Sequence, residues 1–112
     1  TTELIQSLLG KASEADEVKI KINPEDLINK IAKYYSLGKR QLLGDSRALP
    51  VVRPRQILMY LLRIQVGLPL QEVGRIVGRD HSTVMNSVNK ITNLLSTNVD
   101  IQGDIMGIKK SL

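Results

Sequence analysis

The chain has 112 residues, of which 42% are hydrophobic, and this suits one compact domain with a modest core. It contains no Cys, which excludes disulfides and thiolate metal sites, and no Phe or Trp, so its core must be aliphatic. No apolar run approaches the roughly 18 residues of a membrane span, and no N-terminal signal segment is visible, so we expect a cytoplasmic protein.

The first segment, TTELIQSLLGKA at residues 1–12, predicts a short helix, because its apolar residues recur at helical spacing. The chain starts in the middle of this pattern, which suggests a fragment of a longer protein. The polar segment SEADEVKIKI that follows is typical of a linker. We therefore divide the chain into a linker over residues 1–21 and a main domain over residues 22–112.

Two helical segments are predicted next. Asn23 is a good helix cap and Pro24 fits the first helical turn, so NPEDLINKIAKYYSLG predicts a helix that ends near Gly38. The segment KRQLLG predicts one short helical turn. Residues 44–52, GDSRALPVV, have no periodicity and contain Gly and Pro, so we expect a loop with Arg47 near its centre.

A longer helix is predicted to begin at Arg53 or Pro54 and to end at Gly67. Its buried face is predicted to contain Ile57, Leu61 and Ile64. A shorter helix follows over residues 70–77, and Gly78 stops it.

The segment DHSTVMNSVNKITNLLST predicts a helix over residues 80–96. Asp80 is its N-cap, because this carboxylate can accept a hydrogen bond from the amide of Ser82 or Thr83. A buried stripe is predicted at Val84, Val88, Ile91 and Leu95. The opposite face is predicted to expose Thr83, Asn86, Ser87 and Lys90. A last amphipathic helix is predicted over residues 100–112.

Five or six helices with short connections predict an all-α domain. The helices at 70–77 and 80–96 are joined by the tight turn VGRD, which makes them a candidate helix-turn-helix. In that motif the first helix braces against the DNA backbone and the second lies in the major groove. His81, Ser82 and Thr83 suit this role, because short polar side chains at the start of the second helix can reach base edges. Farther along, where such a helix passes phosphates, lie Asn86 and Lys90.

Positive charge is concentrated in the middle of the chain. The whole chain carries +5, whereas residues 39–90 hold nine basic and three acidic residues and so carry +6. Seven of these nine basic residues are Arg, whose guanidinium favours bidentate contact with phosphate and base edges. A solvated basic face is the simplest interpretation, but the concentration of Arg favours a polyanion partner.

Other kinds of site are disfavoured by the same residues. Asp80, His81 and Ser82 have the side chains of a catalytic triad, but neighbours at a helix start splay outward and cannot form the required hydrogen-bonded chain. One His and no Cys are too few ligands for a metal site, and no Gly-rich phosphate loop is present. The start of this helix could also be plain surface, with Asp80 acting only as a cap.

The motif GRDHSTV resembles the signature of the DnaA family of bacterial replication initiators, usually written GGRDH[ST]TV. RPRQI is similar to that family's PRQ helix start, and LPLQEVGRIVG is similar to its SLPEIGxxFG helix. The resemblance covers residues 22–112, and residues 1–12 resemble the end of the family's AAA+ lid and its linker helix. It implies a linker helix followed by an all-α, Trp-repressor-like helix-turn-helix domain that reads double-stranded DnaA boxes of the TTATCCACA type at a replication origin.

The resemblance also implies roles for individual residues. Bases would be contacted by Arg47 in the minor groove and by Asp80, His81 and Ser82 in the major groove. Arg55 and Gln56 would contact the DNA backbone from the start of their helix. The other backbone contacts that it implies are at Arg63, Leu70, Thr83 and Lys90.

Three departures from the family pattern bear on affinity. IVGRDH stands where the family has FGGRDH, so one Gly is missing, and we expect a shorter turn that re-aims the second helix. Gln71 stands where the family usually has Pro. The loop at 44–52 lacks the usual run of Lys and Arg and contains Asp45, which should reduce the salt-dependent part of the affinity.

Two other functions stay open: a helix-turn-helix transcription regulator, and a protein-interaction module for replication regulators. We expect no catalysis and no cofactor in this chain, since the resemblance implies that ATP and Mg²⁺ bind to another part of the full-length protein. The domain is expected to bind DNA as a monomer.

Overall fold

The computed structural model describes residues 22–112, and these residues form six α-helices. They are α1 (Pro24–Tyr34), α2 (Lys39–Leu42), α3 (Leu49–Leu61), α4 (Leu70–Val77), α5 (His81–Leu95) and α6 (Val99–Lys110). A π-helical segment, Leu62–Val66, continues α3. No strand occurs within residues 22–112, so the prediction of an all-α domain is confirmed. The helix predicted at residues 1–12 and the linker lie outside the described residues.

The core is aliphatic, and α3 lies at its centre. Helix α5 packs along α3 more extensively than any other described element does. The side chains that are completely buried come from all six helices and the π-helical segment, among them Leu27, Leu42, Ile57, Leu61, Leu62, Val73, Val84, Ile91 and Ile108. None of the helices in residues 22–112 has the length and apolar character needed to cross a bilayer.

Helix α1 begins as the sequence predicts. Pro24 is its first residue, and the Asn23 side chain accepts a 2.8 Å hydrogen bond from the amide of Glu25. After α1 ends, the Tyr35 hydroxyl donates a 2.9 Å hydrogen bond to the Asp104 carboxylate. This bond ties the end of α1 to α6.

The predicted start of the central helix is wrong. Helix α3 begins at Leu49, so the loop predicted at 44–52 ends at Ala48. Pro50 lies at the second helical position, where an amide has no helical acceptor, so this Pro starts a helix instead of breaking it. Val51 is 5% exposed, and its burial favours the additional turn.

The earlier start changes the position of two predicted site residues. Arg55 and Gln56 lie in the second turn of α3, whereas the sequence placed them at the helix start. The free amides of the first turn therefore lie at some distance along the chain from both side chains.

Two predicted faces also differ from the structure. Ile64 is 54% exposed, because the wider π-helical turn rotates the residues after Leu61 relative to the α-helical face and buries Leu62 instead. Ser87 is 6% exposed and lies on the buried side of α5, whereas Thr83, Asn86 and Lys90 are exposed as predicted. The predicted stripe of Val84, Val88 and Ile91 is confirmed, with Leu95 half-buried.

The turn between α4 and α5 depends on two glycines. Gly78 adopts φ +71°, a left-handed conformation that suits Gly and ends α4. A Cβ on Gly74 would lie 2.5 Å from the Arg79 carbonyl oxygen, so only Gly permits the two helices to approach this closely. The Arg79 amide donates a 3.0 Å hydrogen bond to the Gly74 carbonyl. Gly74 and Gly78 together set the angle at which α5 leaves α4.

The expectation of a shortened turn is wrong. IVGRDH and FGGRDH are equally long, so Val77 replaces the first Gly and nothing is deleted. Val77 is 2% exposed and completes the last turn of α4. Gly78, the residue that needs positive φ, is retained, so the turn keeps its length.

Replacing Gly74 with Ala should lower the free energy of unfolding by about 1–3 kcal/mol, because the new methyl group meets a backbone oxygen that cannot rotate away. Gly103, inside α6, is the matched control, since a Cβ there meets nothing within 4 Å. Gly103→Ala should stabilise by roughly 0.5–1 kcal/mol through helix propensity. Urea unfolding of both variants checks this, and an equal stabilisation by the two substitutions would contradict it.

Candidate nucleic-acid interface

The start of α5 presents a row of exposed polar side chains. Asp80 is the N-cap, and its Oδ1 accepts a 3.0 Å hydrogen bond from the amide of Thr83, one of the two amides that the sequence suggested. Hydrogen bonds from the backbone amide and the side chain of Thr83 hold the pKa of the Asp80 carboxyl below its ordinary value. His81, Ser82 and Thr83 are all exposed. The cap therefore orders the helix start while leaving these side chains facing solvent.

Further along α5, the exposed surface continues in the same direction. Asn86 and Lys90 are exposed and follow Ser82 at intervals of four residues, so the three side chains share one face of the helix. Val84, Val88 and Ile91 bury the opposite face. Helix α5 is thereby attached to the domain along one side and free along the other.

The segment between α2 and α3, residues 43–48, is called the Arg47 loop below. Its backbone is held at several points. The Ser46 hydroxyl accepts a 3.2 Å hydrogen bond from the amide of Ala48, and Arg79 Nη2 donates a 2.6 Å hydrogen bond to the Gly44 carbonyl. Arg47 itself is exposed. The loop thus presents one free cation from an ordered backbone.

Arg55 also holds the backbone of this loop. Its side chain is buried at 5% exposure, with Nε donating to the Leu42 carbonyl at 2.8 Å and Nη1 donating to the Ser46 carbonyl at 3.1 Å. Burial lowers the pKa of the Arg55 guanidinium, and the positive charge of Arg79 lowers it further. Nη2 is buried and has no hydrogen-bond partner among the described residues. Two of the guanidinium's nitrogens therefore hold the backbone, and the third is buried beside them.

The Arg47 loop and the helix-turn-helix meet at a polar cleft, called the arginine cleft below. It is lined by Asp45, Ser46, Arg47, Val52, Arg55, Gly78 and Arg79. Three of these residues carry positive charge and one carries negative charge. A concave site with this excess of guanidinium groups and a backbone Gly suits a phosphate group.

Two further predicted contact residues, Arg63 and Leu70, lie before and after the turn that leads into α4. Arg63 Nη1 donates a 3.0 Å hydrogen bond to the Leu68 carbonyl, which orders the turn that leads into α4. Leu70 is half-buried at the first position of α4, and Gln71 beside it is exposed. On the outer side of this helix, Arg75 forms an ion pair with Glu72.

The structure brings some of the predicted site residues together and leaves others apart. Arg47 and Arg55 line one cleft with the turn before α5, and Asp80, His81, Ser82 and Thr83 follow that turn directly. Gln56 is half-buried, and its Oε1 is buried without a partner among the described residues. Arg79 was counted in the sequence only as part of the positive charge, yet it bridges the turn to the Arg47 loop. The sequence feature that could have identified Arg79 as a site residue is its place inside the GRDH motif.

The described residues bring together neither a metal-ligand cluster nor a hydrogen-bonded His–Ser pair. Within residues 22–112, no group of three or more His, Asp or Glu side chains is arranged to hold a metal ion. His81 and Ser82 are successive residues of α5, and no hydrogen bond joins their side chains in the part of the chain that the structure describes.

Residues 24–91 match a family model described as the bacterial dnaA protein helix-turn-helix. This match covers more than half of the chain and contains α1 to α4 and most of α5. The matched family is a helix-turn-helix domain and not an enzyme domain.

Curated relatives extend this similarity over the whole chain. A chromosomal replication initiator protein DnaA from Herpetosiphon aurantiacus is 33% identical over 113 residues, which cover 100% of this chain and 24% of the relative. The DnaA of Thermomicrobium roseum is 33% identical over 91% of the chain and 22% of its own length. That of Brucella abortus is 34% identical over 95% of the chain and 21% of its own length. The chain spans about a quarter of the length of the relatives it matches.

Replacing Arg55 with Met should lower the free energy of unfolding by about 1–3 kcal/mol, because the carbonyls of Leu42 and Ser46 lose their donor. Arg47→Ala is the control, since that side chain is exposed and its removal should change stability by less than about 0.5 kcal/mol. Chemical unfolding at constant salt measures both. An Arg55→Met variant as stable as the unmodified protein would show that the buried guanidinium does not hold the loop.

Proposed function

Because the chain belongs to the helix-turn-helix family of bacterial DnaA proteins, we propose that it binds double-stranded DNA and reads DnaA boxes of the TTATCCACA type at a replication origin. The observation that carries this proposal is the exposed start of α5, where His81, Ser82 and Thr83 face solvent directly after the helix-turn-helix turn. In DNA-binding helix-turn-helix proteins, residues at this position meet base edges in the major groove.

The proposal gives the major-groove residues separate tasks. Asp80 caps α5 and still has lone pairs to accept a hydrogen bond from a cytosine amino group. His81 and Ser82 contact base edges, and the Ser82 hydroxyl can serve either as donor or as acceptor. Since the cap holds the helix start in one conformation, these side chains meet the bases with little further ordering.

The minor groove is assigned to Arg47. A·T-rich DNA has a narrow minor groove with enhanced negative potential, which attracts an inserted guanidinium. Arg47 is exposed, while hydrogen bonds from Arg55 and Arg79 hold the backbone that precedes it, at Ser46 and Gly44. An ordered loop with a free Arg side chain suits this role.

Phosphate contacts connect the two grooves. The DNA strand that passes from the minor groove at Arg47 to the major groove at α5 brings a phosphate past the arginine cleft, and this phosphate contact is assigned to Arg55, which lines the cleft. Thr83, Asn86 and Lys90 continue the contacts along α5. Arg63, Leu70 and Gln56 are assigned to the flanking backbone, with Arg63 also ordering the turn before α4.

The rest of the protein's activity lies outside this chain in the proposal. The chain spans about a quarter of the length of its relatives, so ATP and Mg²⁺ binding are assigned to another part of a longer protein. The DNA-binding domain itself acts as a monomer on one box. Regulation of transcription from promoter-borne boxes would use the same contacts.

Binding of a fluorescent TTATCCACA duplex and of a scrambled duplex tests the proposal. We expect a dissociation constant for the box on the order of nanomolar to micromolar, with weaker binding to the scrambled sequence and a steep fall in both affinities as salt increases. Equal affinity for the two duplexes at low and at moderate salt would refute sequence-specific reading. If the affinity were also independent of salt, the protein-interaction alternative would be favoured.

Variants separate the individual roles in the same assay. His81→Ala should relax discrimination among boxes, since one mismatched base pair typically costs about 1–3 kcal/mol. Arg47→Ala should weaken binding most where the A·T flank of the box is intact. Lys90→Ala is the control for a phosphate contact: it should weaken binding to all sequences about equally and reduce the slope of log affinity against log salt by about 0.9. A change of base preference in Lys90→Ala would contradict its assignment.

A further inference from the structure

Three exposed apolar residues follow Arg47 directly: Ala48, Leu49 and Pro50. Leu49 is 60% exposed although it is the first residue of the central helix α3. It borders a shallow groove whose other lining residues are Tyr35, Pro50, Arg53 and Pro54. A single exposed Leu is ordinary, but Leu49 lies only two residues after the side chain assigned to the minor groove, and Ala48 between them is exposed as well.

The position of Leu49 is set by rigid structure. The amides of Val51 and Val52 both donate to the Ala48 carbonyl at 2.9 Å, which fixes the first turn of α3. Before it in the chain, the Ser46 hydroxyl accepts a hydrogen bond from the Ala48 amide, and the Ser46 carbonyl accepts one from Arg55. A side chain that leaves such an ordered backbone loses little conformational entropy when it binds.

The charge of this segment argues against a purely electrostatic contact. Residues 43–50 contain one cation, Arg47, and one anion, Asp45, so their net charge is zero. Counterion release from phosphates, which is the usual source of affinity at such a loop, is therefore weak here. The walls of the minor groove expose deoxyribose C–H groups, and proteins that bind this groove often bring apolar side chains such as Leu and Pro into it, where they wedge between base steps.

Resting on the proposed role of Arg47, we propose that Leu49 packs against deoxyribose on the minor-groove wall beside the inserted guanidinium, with Pro50 flanking it. This contact gives the Arg47 loop a salt-independent share of its affinity. It takes the place of phosphate contacts that a run of Lys and Arg would make. Leu49 is thus a DNA-positioning residue that acts through apolar contact.

Salt titrations of duplex binding test this with Leu49→Ser and with a matched control, Val99→Ser. Val99 is also an exposed aliphatic residue at the first position of a helix, being 76% exposed at the start of α6, and it lies in none of the proposed contacts. Leu49→Ser should lose roughly fivefold in affinity for the box, as expected for partial burial of a Leu side chain. The loss should be the same at every salt concentration, and Val99→Ser should bind like the unmodified protein.

Leu49→Lys gives a second and independent result. A Lys there exchanges the apolar contact for a phosphate contact, so the slope of log affinity against log salt should steepen by about 0.9. An unchanged slope in this variant would show that position 49 does not face the DNA and would overturn the proposal.

The proposal would also be overturned if Leu49→Ser bound the box within twofold of the affinity of the unmodified protein. The same holds if Leu49→Ser lost no more affinity than Val99→Ser. A change in oligomeric state instead of in DNA affinity would assign the patch to a second copy of the chain and reject the DNA contact. Failure of the proposed function is distinguishable, since the unmodified protein would then not prefer the box over the scrambled duplex.

Discussion

Arg55 and Arg79 join two parts of the molecule that are distant in sequence. Their guanidinium groups donate hydrogen bonds to backbone carbonyls of Leu42, Gly44 and Ser46, and Arg79 also belongs to the turn before α5. Such charge-assisted bonds are stronger than neutral ones, and burial of Arg55 makes its bonds harder to replace by water. The distance between the Arg47 loop and the start of α5 depends on this connection. A domain that contacts the minor and the major groove at once needs a constant distance between its two contact elements, because the spacing of the grooves is set by the DNA.

The close approach of α4 and α5 provides the second constraint. At Gly74 there is no room for a Cβ beside the Arg79 carbonyl, and at Gly78 the chain turns through a left-handed conformation. Arg79 therefore has its backbone held by α4 while its side chain holds the Arg47 loop. The placement of α5, the order of the loop and the exposure of His81 to Thr83 follow from the same few residues.

Local signals in the sequence were sufficient for much of the fold. Capping residues and Gly predicted the start of α1 and both ends of α4 and α5 almost to the residue, because these signals act within one or two turns. The end of α1 was predicted near Gly38, whereas the helix ends at Tyr34. The local signals also failed at α3, where Pro50 resembled a loop residue and burial of Val51 extended the helix, and at Ile64, where the π-helical turn changed the period. The roles of Arg55 and Arg79 in holding the loop depend on contacts across 9 to 35 positions, which no local pattern contains.

Selection of binding sites from a pool of randomised duplexes tests most directly whether the Arg47 loop and the start of α5 contact DNA at a constant distance from each other. We predict an enriched sequence with two separate parts, an A·T-rich part and an adjoining part with specified bases, at constant separation. Selection with Arg47→Ala should lose the A·T-rich part alone and retain the other. Recovery of no preferred sequence, or of two parts at variable separation, would contradict this account.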